Sequence, residues 1–421
     1  MTNTVLTETM AVPPPEPERE PVAGPADWVR RNLFSSVGNT ILTVVSVPVV
    51  AFVVYRLARF AFDTGRWDIV RVNLRLFVVG RYPADQLWRI AVAVAAIAGF
   101  LGLVAGFAAN RRRLAAPPDA VRPPMWRGPL GVVARLWPLL AGVVLLLVLT
   151  STIGPWLTAL GTLGAGVAGR VVGAQLPRRS MLPLVVLGVG GFVTLVWFLS
   201  RPLTWEGWGG MMLNLFLAIA GITLCFPLGV LLALGRRSKL PLIHWLSIGY
   251  IELFRGVPLY VLLLLSYYAL GLFWPAGSQN PGLITRSIVA LTLFTAAYVA
   301  EIVRGGLQSL PRGQTEASMA LGMSPVRTTA FIVLPQALRN VIPALVGQFI
   351  SLFKDTTLAA AAMGLLDLYN ASDAATSQPA FQGQNLTAES LAFVMLLFWI
   401  GCITMSRESQ RLERRLGVGV R

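Results

Sequence analysis

The sequence predicts an all-α polytopic membrane protein, and three observations support this fold class. Hydrophobic residues make up 55% of the 421 residues and charged residues only 13%, unlike the composition of a soluble domain. Several apolar runs approach about 20 residues, the helix length that crosses the hydrocarbon layer. The arginines behind the net charge of +16 cluster between these runs. The positive-inside bias explains this charge, so we expect no nucleic-acid partner.

The N-terminal segment, residues 1–30, is predicted to be a disordered cytoplasmic tail. Its composition is rich in proline and glutamate, as in the run Pro13–Pro15, and cannot bury a hydrophobic core. It also lacks the basic and apolar regions of a cleavable signal peptide. We therefore expect the first membrane span to act as the insertion signal.

A transmembrane extension is predicted over residues 31–204. Asn110 and the three arginines after it place the loop at 110–128 in the cytoplasm. The segment at 156–176 is glycine-rich and weakly apolar. It is predicted to cross as well, because otherwise the next span would invert the rest of the chain. The spans of this extension are predicted at 39–60, 88–109, 132–152, 156–176 and 181–199.

The second half, residues 205–416, is predicted to be a regular block of five spans. Basic residues after its first span and at the C-terminus mark the cytoplasmic side. The loop at 304–336 and both chain termini are then cytoplasmic. No internal repeat links the two halves, so the first half is interpreted as an added membrane module. The five spans are predicted at 209–234, 254–274, 284–303, 337–368 and 388–405.

A polar stretch, Leu310–Pro335, interrupts the apolar second half and predicts two short helices around a break. Gly322 stands where a left-handed C-terminal cap is needed. Ser324 and Pro325 suit the N-cap and the first residue of the next helix. The simplest use of such a hairpin is to dock a soluble partner. The alternative is an amphipathic hairpin that lies on the bilayer surface.

No set of residues in this sequence predicts catalysis. The chain has no GxxxxGK[ST] loop for phosphates, and no Ser-His-Asp set or carboxylate pair has a recognisable spacing. His244, the single histidine, is interpreted as solvated or interfacial. Cys225 and Cys402 fall in apolar runs without metal-ligand spacing and are interpreted as small hydrophobes. We expect neither enzyme activity nor a metal site.

Seven residues of the polar stretch have a fixed spacing. They are Glu316, Ala317, Ser318, Gly322, Ile332, Leu334 and Pro335. The pattern resembles the EAA-x3-G-x9-I-x-LP signature of ABC importer permeases, with Ser318 in place of alanine. The resemblance implies a coupling loop that sits in a groove of the ATP-binding subunit. Met319, Leu321 and Met323 would offer an adaptable apolar surface for this contact.

Further segments resemble the polar amino acid permeases within this class, with Val257 in place of the usual threonine. Their motif residues are Glu252, Arg255, Gly256, Pro258, Glu301 and Arg304. For each of the two Glu-Arg pairs, simple pairing at i, i+3 on one helix is the alternative. The stretch at 81–89 and the extra N-terminal spans resemble the long permease subunits of general L-amino acid importers.

Charged residues are also predicted inside the membrane. At about 1.5 Å per residue, a helix that starts near residue 338 carries Asp355 about 25 Å along its length. Intramembrane charge is by default functional. The threonines after Asp355 suit an N-cap on a second half-helix, whose N–H groups would face an amino acid's carboxylate. The candidate translocation path is Lys354, Asp355, Thr356, Thr357 and Tyr298. A purely structural kink is the alternative.

The resemblance implies a type I ABC importer transmembrane domain with a five-helix core and additional N-terminal helices. Such a permease forms half of the pathway for ATP-driven uptake of L-amino acids across the inner membrane. The implied partners are two ABC ATP-binding subunits, a second permease subunit (identical or homologous), a periplasmic amino-acid-binding protein and membrane lipid. ATP and Mg would bind to the partner ATPase, and no cofactor is expected in this chain.

Two other functions stay open on the sequence. An ion-gradient-driven secondary transporter usually carries intramembrane carboxylates or paired repeats, whereas only Asp355 lies deep in a predicted span here. A structural membrane subunit of another complex would use the polar stretch for docking only. The residues do not choose between acidic, basic and branched amino acids as substrates.

Overall fold

The computed structural model describes residues 24–115, 155–275 and 280–416. Within these ranges every regular element is helical, apart from two isolated backbone bridges, so the all-α prediction is confirmed. The helices are α1 (Pro25–Leu33), α2 (Val37–Arg59), α3 (Asp68–Val79), α4 (Leu87–Ala115), α5 (Pro155–Gln175), α6 (Met181–Leu199), α7 (Gly210–Gly235), α8 (Pro241–Gly256), α9 (Leu259–Ala269), α10 (Leu283–Gln308), α11 (Arg312–Ala320), α12 (Pro325–Arg327), α13 (Leu334–Met363), α14 (Leu368–Thr376) and α15 (Thr387–Leu416).

Seven helices or helical runs in the described ranges are long and apolar enough to cross a membrane, and α8 with α9 makes an eighth if this bent pair crosses as one. The multi-pass prediction is thus confirmed. The predicted span at 132–152 lies outside the described residues. The segment at 156–176 forms α5, which is not among the seven. Predicted spans that coincide with one of the seven are 39–60, 88–109, 181–199, 209–234, 284–303 and 388–405.

The chain divides into two compact units, Met1–Gly65 and Arg66–Arg421. The first unit contains α1, which begins at Pro25, and proline suits the first position of a helix. Residues 25–30 are therefore helical, and the disordered tail predicted for 1–30 is wrong at that end. Residues 1–23 lie outside the described ranges.

The second unit joins most of the predicted extension to the second half of the chain. The sequence predicts a boundary at residue 204, but α3, α4, α5 and α6 belong to the same compact unit as α7–α15. Tyr82, just before α4, shows how the parts are connected. Its side chain is buried in the core that α7, α10 and α13 share, and its hydroxyl donates to the Leu199 carbonyl at 2.8 Å. Burial raises the pKa of this phenol.

Helices α4 and α5 approach so closely that their backbones touch, and glycine permits this contact. A Cβ atom built on Gly169 would lie 2.0 Å from the carbonyl oxygen of Gly99. One built on Gly106 would lie 2.1 Å from the carbonyl oxygen of Arg170. Small residues that let helix backbones approach are a common means of joining helices in membranes. The glycines that make 156–176 only weakly apolar therefore serve helix packing.

We expect Gly169→Val to separate α4 from α5 and to destabilise the protein. The added side chain must displace backbone, and overpacking of this kind costs about 1–3 kcal/mol. The measurement is the thermal unfolding midpoint of the purified protein in detergent. Gly164→Val is the matched control, because it changes the same helix at a position where a Cβ atom meets no other atom within 4 Å. Equal midpoints for the two variants would contradict the tight packing of α4 and α5.

The segment between the first two predicted spans contains a helix that sequence reasoning missed. Helix α3 is amphipathic, and its apolar face buries Ile69, Leu74 and Phe77 against α14 and α15. The Phe77 ring meets the Phe393 ring edge-on at a centroid distance of 5.2 Å. Val70 is buried on the same face, and the steps of four and three residues from Val70 to Leu74 and Phe77 are typical of a helix face.

The predicted span at 254–274 is bent near its start, because the chain turns by 105° between α8 and α9. Val257 and Pro258 both have extended backbone at the bend. Proline lacks an N–H group and disfavours helical backbone in the residue before it, which explains the break. The motif residues Gly256 and Pro258 therefore flank a sharp turn between two helices.

The half-helix break predicted at Asp355 is wrong. Helix α13 runs without interruption through residues 354–357 and ends at Gly364, which has a left-handed φ of 69°. The Thr356 hydroxyl donates to the Phe353 carbonyl at 2.7 Å, a local bond that leaves the helix intact. The sequence places one break in the wrong span, since the actual break lies between α8 and α9.

Candidate functional site

The polar hairpin, residues 310–335, folds as two short helices around a capped turn. Gly322 ends α11 with a left-handed φ of 79°. Its N–H donates to the Met319 carbonyl at 2.9 Å, and the Met323 N–H donates to the Ser318 carbonyl at 3.2 Å. This pair of bonds is the Schellman arrangement, which satisfies carbonyl groups at a helix end. The predicted C-cap is therefore confirmed.

The start of α12 also follows the prediction. The Ser324 hydroxyl accepts a hydrogen bond from the Arg327 N–H at 3.4 Å, and Pro325 is the first helical residue. Ser318, the departure from the family pattern, is buried and donates to the Thr328 hydroxyl at 3.1 Å. The serine thus ties α11 to the helical turn that follows α12, a link that alanine could not make.

The hairpin exposes a mixed apolar and charged surface. Glu316 and Ala317 are exposed, as is Gly322. Four large apolar side chains are also exposed, and they are Met319, Leu321, Val326 and Phe331. Met323, which the sequence groups with this surface, is half-buried. Such a surface can bury apolar area against a partner while Glu316 meets a basic group.

The C-terminal part of the motif anchors the hairpin instead of extending its surface. Ile332 and Leu334 are half-buried, and Val333 between them is buried in the core of α7, α10 and α13. Residues 328–333 form a wide π-helical turn before the exposed Pro335. Proline has no N–H for the preceding turn, so a local widening there relieves its fit in a continuous helix.

A second group of motif residues lies around Glu301. Some of its members are far from Glu301 in the sequence, so no local pattern predicts these contacts. The Glu301 carboxylate pairs with Arg304 at 2.8 Å and with Arg236 at 2.6 Å, and Arg255 lies 3.7 Å away. Arg236 also pairs with Glu252 at 3.3 Å. These five residues, the Glu301 cluster, join α7, α8 and α10.

The sequence left open whether each Glu-Arg pair is a local i, i+3 pair on one helix, and the Glu301 cluster answers this for both pairs. Glu301 and Arg304 do pair at i, i+3, as in the local alternative. Glu252 and Arg255 instead pair across helices, with Arg236 and Glu301. Arg236 was missed as a site residue, because its basic run reads as a mark of the cytoplasmic side.

Tyr298 lies beside this cluster. The Arg255 guanidinium lies 5.7 Å from the centre of the Tyr298 ring, within the range of a cation–π contact. The same ring meets Phe294 at a centroid distance of 4.9 Å. Tyr298, one of the candidate path residues, is therefore in contact with a motif residue of the Glu301 cluster.

The other candidate path residues lie in different environments on α13. Lys354 is exposed, whereas Asp355 and Thr357 are half-buried. Thr356 is fully buried and accepts a hydrogen bond from the Asn214 amide at 2.9 Å. Its hydroxyl therefore serves the contact between α13 and α7.

The Asn214 amide also connects to a buried carboxylate that the sequence did not single out. It donates to Asp367 at 3.2 Å, and the other carboxylate oxygen of Asp367 caps α14 through the Asn370 N–H at 2.8 Å. Burial raises the pKa of the Asp367 carboxyl, and the bonds from Asn370 and Asn214 oppose that shift. These bonds fix α14 against α7.

Comparison with known proteins identifies the family and several relatives of this chain. Residues 225–418 match the family described as binding-protein-dependent transport system inner membrane component. The chain is 34% identical over 431 aligned residues to the inner membrane amino-acid ABC transporter permease protein YhdY of Escherichia coli (strain K12), across 98% of this chain and 99% of that protein. It is 36% identical to the glutamate/glutamine/aspartate/asparagine transport system permease protein BztC of Rhodobacter capsulatus, across 99% and 98%. A crystal structure described as an amino acid ABC transporter with histidines aligns at 28% identity and a TM-score of 0.43, across 57% of this chain and 99% of that one.

Proposed function

The chain belongs to the family of binding-protein-dependent transport system inner membrane components, and from this premise we propose that it forms half of an ATP-driven uptake pathway for L-amino acids. It is a multi-pass permease subunit of the inner membrane, not an enzyme in its own right. The observation that carries the proposal is the polar hairpin. Its motif residues keep the fixed family spacing, and its capped helices expose Glu316 and Leu321 for a soluble partner.

The assembly that we propose contains three kinds of partner besides lipid. Two ATP-binding subunits carry ATP and Mg and hydrolyse ATP, while this chain supplies no ATP chemistry and no cofactor. A second permease subunit, identical or homologous, completes the pathway. A periplasmic binding protein delivers the amino acid. Closure of the ATP-binding subunits moves the polar hairpins, and this movement opens the pathway outward by alternating access.

The orientation that we propose puts the polar hairpin and both termini in the cytoplasm. Basic residues support this assignment, since they mark the loop after the first span of the second half and the C-terminus as cytoplasmic. The loop that holds α3 and the segment that holds α14 then lie on the outward side. Relatives named as amino-acid permeases support the substrate class. The choice among amino acids rests largely with the binding protein.

Within the pathway we propose roles for Lys354, Asp355, Thr357 and Tyr298, with Thr356 as a packing residue. We expect Asp355→Asn to lower the uptake rate by about tenfold, because it removes the deepest charge in α13. The measurement is the initial rate of radiolabelled amino acid uptake, normalised to inserted protein. Asp373→Asn is the control, since Asp373 is exposed on α14. An unchanged rate and unchanged substrate range for Asp355→Asn would remove this residue from the pathway.

Reconstitution tests the proposed function as a whole. Proteoliposomes contain this chain, its partner permease and the ATP-binding subunits, and the binding protein is added outside. We expect uptake that requires ATP inside and binding protein outside. Uptake that a proton or sodium gradient drives without the ATP-binding subunits would identify a secondary transporter instead. Assembly without uptake under either condition would indicate a structural subunit.

A further inference from the structure

Helix α3 presents a basic surface that the proposed transport cycle does not explain. Arg71 and Arg75 lie four residues apart on its exposed side, and Arg81 is exposed just beyond its C-terminal end. We call these three residues the arginine face. In the described part of the chain, none of their side chains has a hydrogen-bond or ion-pair partner. Val72, beside them, is 67% exposed.

The arginine face is fixed to the permease core and points away from it. The opposite side of α3 is buried, with Ile69 and Phe77 fully inaccessible to solvent. The buried Asn73 side chain accepts a hydrogen bond from the Gln378 amide at 2.6 Å, which ties α3 to the segment after α14. A helix that lies on a bilayer would direct its apolar side to lipid. Here that side is already occupied by protein.

A neighbouring arginine shows what a structural role looks like in this segment. The Arg66 guanidinium donates to the Gln384 carbonyl at 2.7 Å, and its backbone N–H donates to the buried Glu389 at 3.1 Å. Arg66 therefore fastens the start of α3 to the end of the 377–386 segment. The arginine face makes no comparable contact, so packing does not explain its charge.

The location of the arginine face on the outward side is a further reason to expect that its charge has a function. In the proposed orientation α3 lies outside, where Lys and Arg are ordinarily depleted from short loops. The positive-inside rule for membrane insertion therefore does not explain three unpaired arginines on this side. Exposed cations that are held on a rigid support attract an anionic partner and steer its approach. The residues also lie outside the 225–418 family match, so they belong to the extension.

We propose that the arginine face docks an acidic patch on the soluble substrate-binding protein. This inference rests on the proposed function, which supplies a soluble partner on the outward side. Charge complementarity selects that partner, because a second copy of the same basic face would be repelled. The buried apolar side of α3 disfavours a lipid surface. The extension would thus add a contact that permeases reduced to the five-helix core do not have.

The test varies the arginine face in the complete transporter in proteoliposomes of neutral lipid. The probe is the purified binding protein that sustains uptake by the unaltered transporter, with its amino acid bound. We expect Arg71→Gln/Arg75→Gln/Arg81→Gln to raise the half-saturating concentration of this protein by about fivefold or more and to flatten its salt dependence. Uptake at saturating binding protein and basal ATPase activity stay unchanged.

Two further variants control the interpretation. The triple lysine variant at the same positions keeps the charge and is expected to retain most of the affinity. The triple glutamate variant reverses the charge and is expected to weaken docking further. Equal half-saturating concentrations and salt dependence in all four proteins would overturn the inference. A variant effect that appears only with anionic lipid would assign the face to the membrane. If the unaltered transporter shows no ATP-dependent uptake, the proposed function itself fails.

Discussion

Gly322→Pro is expected to abolish uptake by the assembled transporter. Proline fixes φ near −65° and has no N–H, whereas Gly322 has a φ of 79° and its N–H donates to Met319. The substitution therefore removes the cap of α11 and redirects the chain into α12. The exposed side chains of the hairpin would no longer form one surface for the ATP-binding subunit.

The measurements are co-purification of the ATP-binding subunits and ATP-dependent uptake, both normalised to protein inserted in the membrane. We expect both to fall by about a hundredfold or to background, in line with the loss of a central docking element. Gly322→Asn is the matched control. Asparagine tolerates left-handed backbone, and a Cβ at this position meets no atom within 4 Å. It should retain most of the activity.

A second substitution separates docking from local folding. Glu316→Lys reverses an exposed charge without touching either helix cap, so the hairpin should fold as before. We expect it also to abolish recruitment of the ATP-binding subunits and uptake, because a like charge would meet their basic groups. If both variants still recruited these subunits and transported normally, the hairpin would not be the coupling element.

The hairpin was readable from the sequence because its determinants are local. Gly322, Ser324 and Pro325 act within one helical turn, and each fits one position of a capped break. Ser318 shows the limit of this reasoning. The sequence records it as a small departure from the family pattern, but its partner Thr328 emerges only when α11 and the following turn are in place.

The errors come from segments in which a local pattern competes with tertiary packing. No helix was predicted between the first two spans, because arginines lie on one side of α3, although Val70, Leu74 and Phe77 carry helical spacing. Thr356 looked like a cap inside the membrane, but a hydrogen bond from Asn214 holds it in a continuous helix. That bond joins residues far apart in sequence, so no single-segment pattern could reveal it.

The Glu301 cluster is a long-range arrangement of the same kind, and its central carboxylate gives the second large prediction. Arg236 and Glu301 are 65 residues apart yet pair at 2.6 Å. The Glu301 side chain is 15% exposed and that of Arg236 is 25% exposed, so water screens the pair only in part. Glu301 is shared by three guanidinium groups, and α10, which carries it, leads directly into the polar hairpin.

We expect Glu301→Gln to lower uptake by about tenfold or more and to destabilise the protein by about 1–3 kcal/mol. The neutral amide removes the carboxylate that Arg236, Arg255 and Arg304 share. Only the more exposed Glu252, paired with Arg236, remains. Helices α7, α8 and α10 would then lose their common link. The measurements are uptake, ATPase stimulation by the binding protein and the thermal unfolding midpoint.

Glu252→Gln is the matched control, because it removes the other carboxylate of the cluster at a site that is 58% exposed. A pair this exposed contributes about 0–1 kcal/mol, so uptake and unfolding should change little. The double variant Glu301→Gln/Arg236→Gln removes one of the repelling charges and should recover part of the lost stability. A deficit in uptake that persists in the folded double variant would show that the cluster does more than hold three helices together. If Glu301→Gln instead transports at the normal rate per folded molecule, the cluster only stabilises the fold.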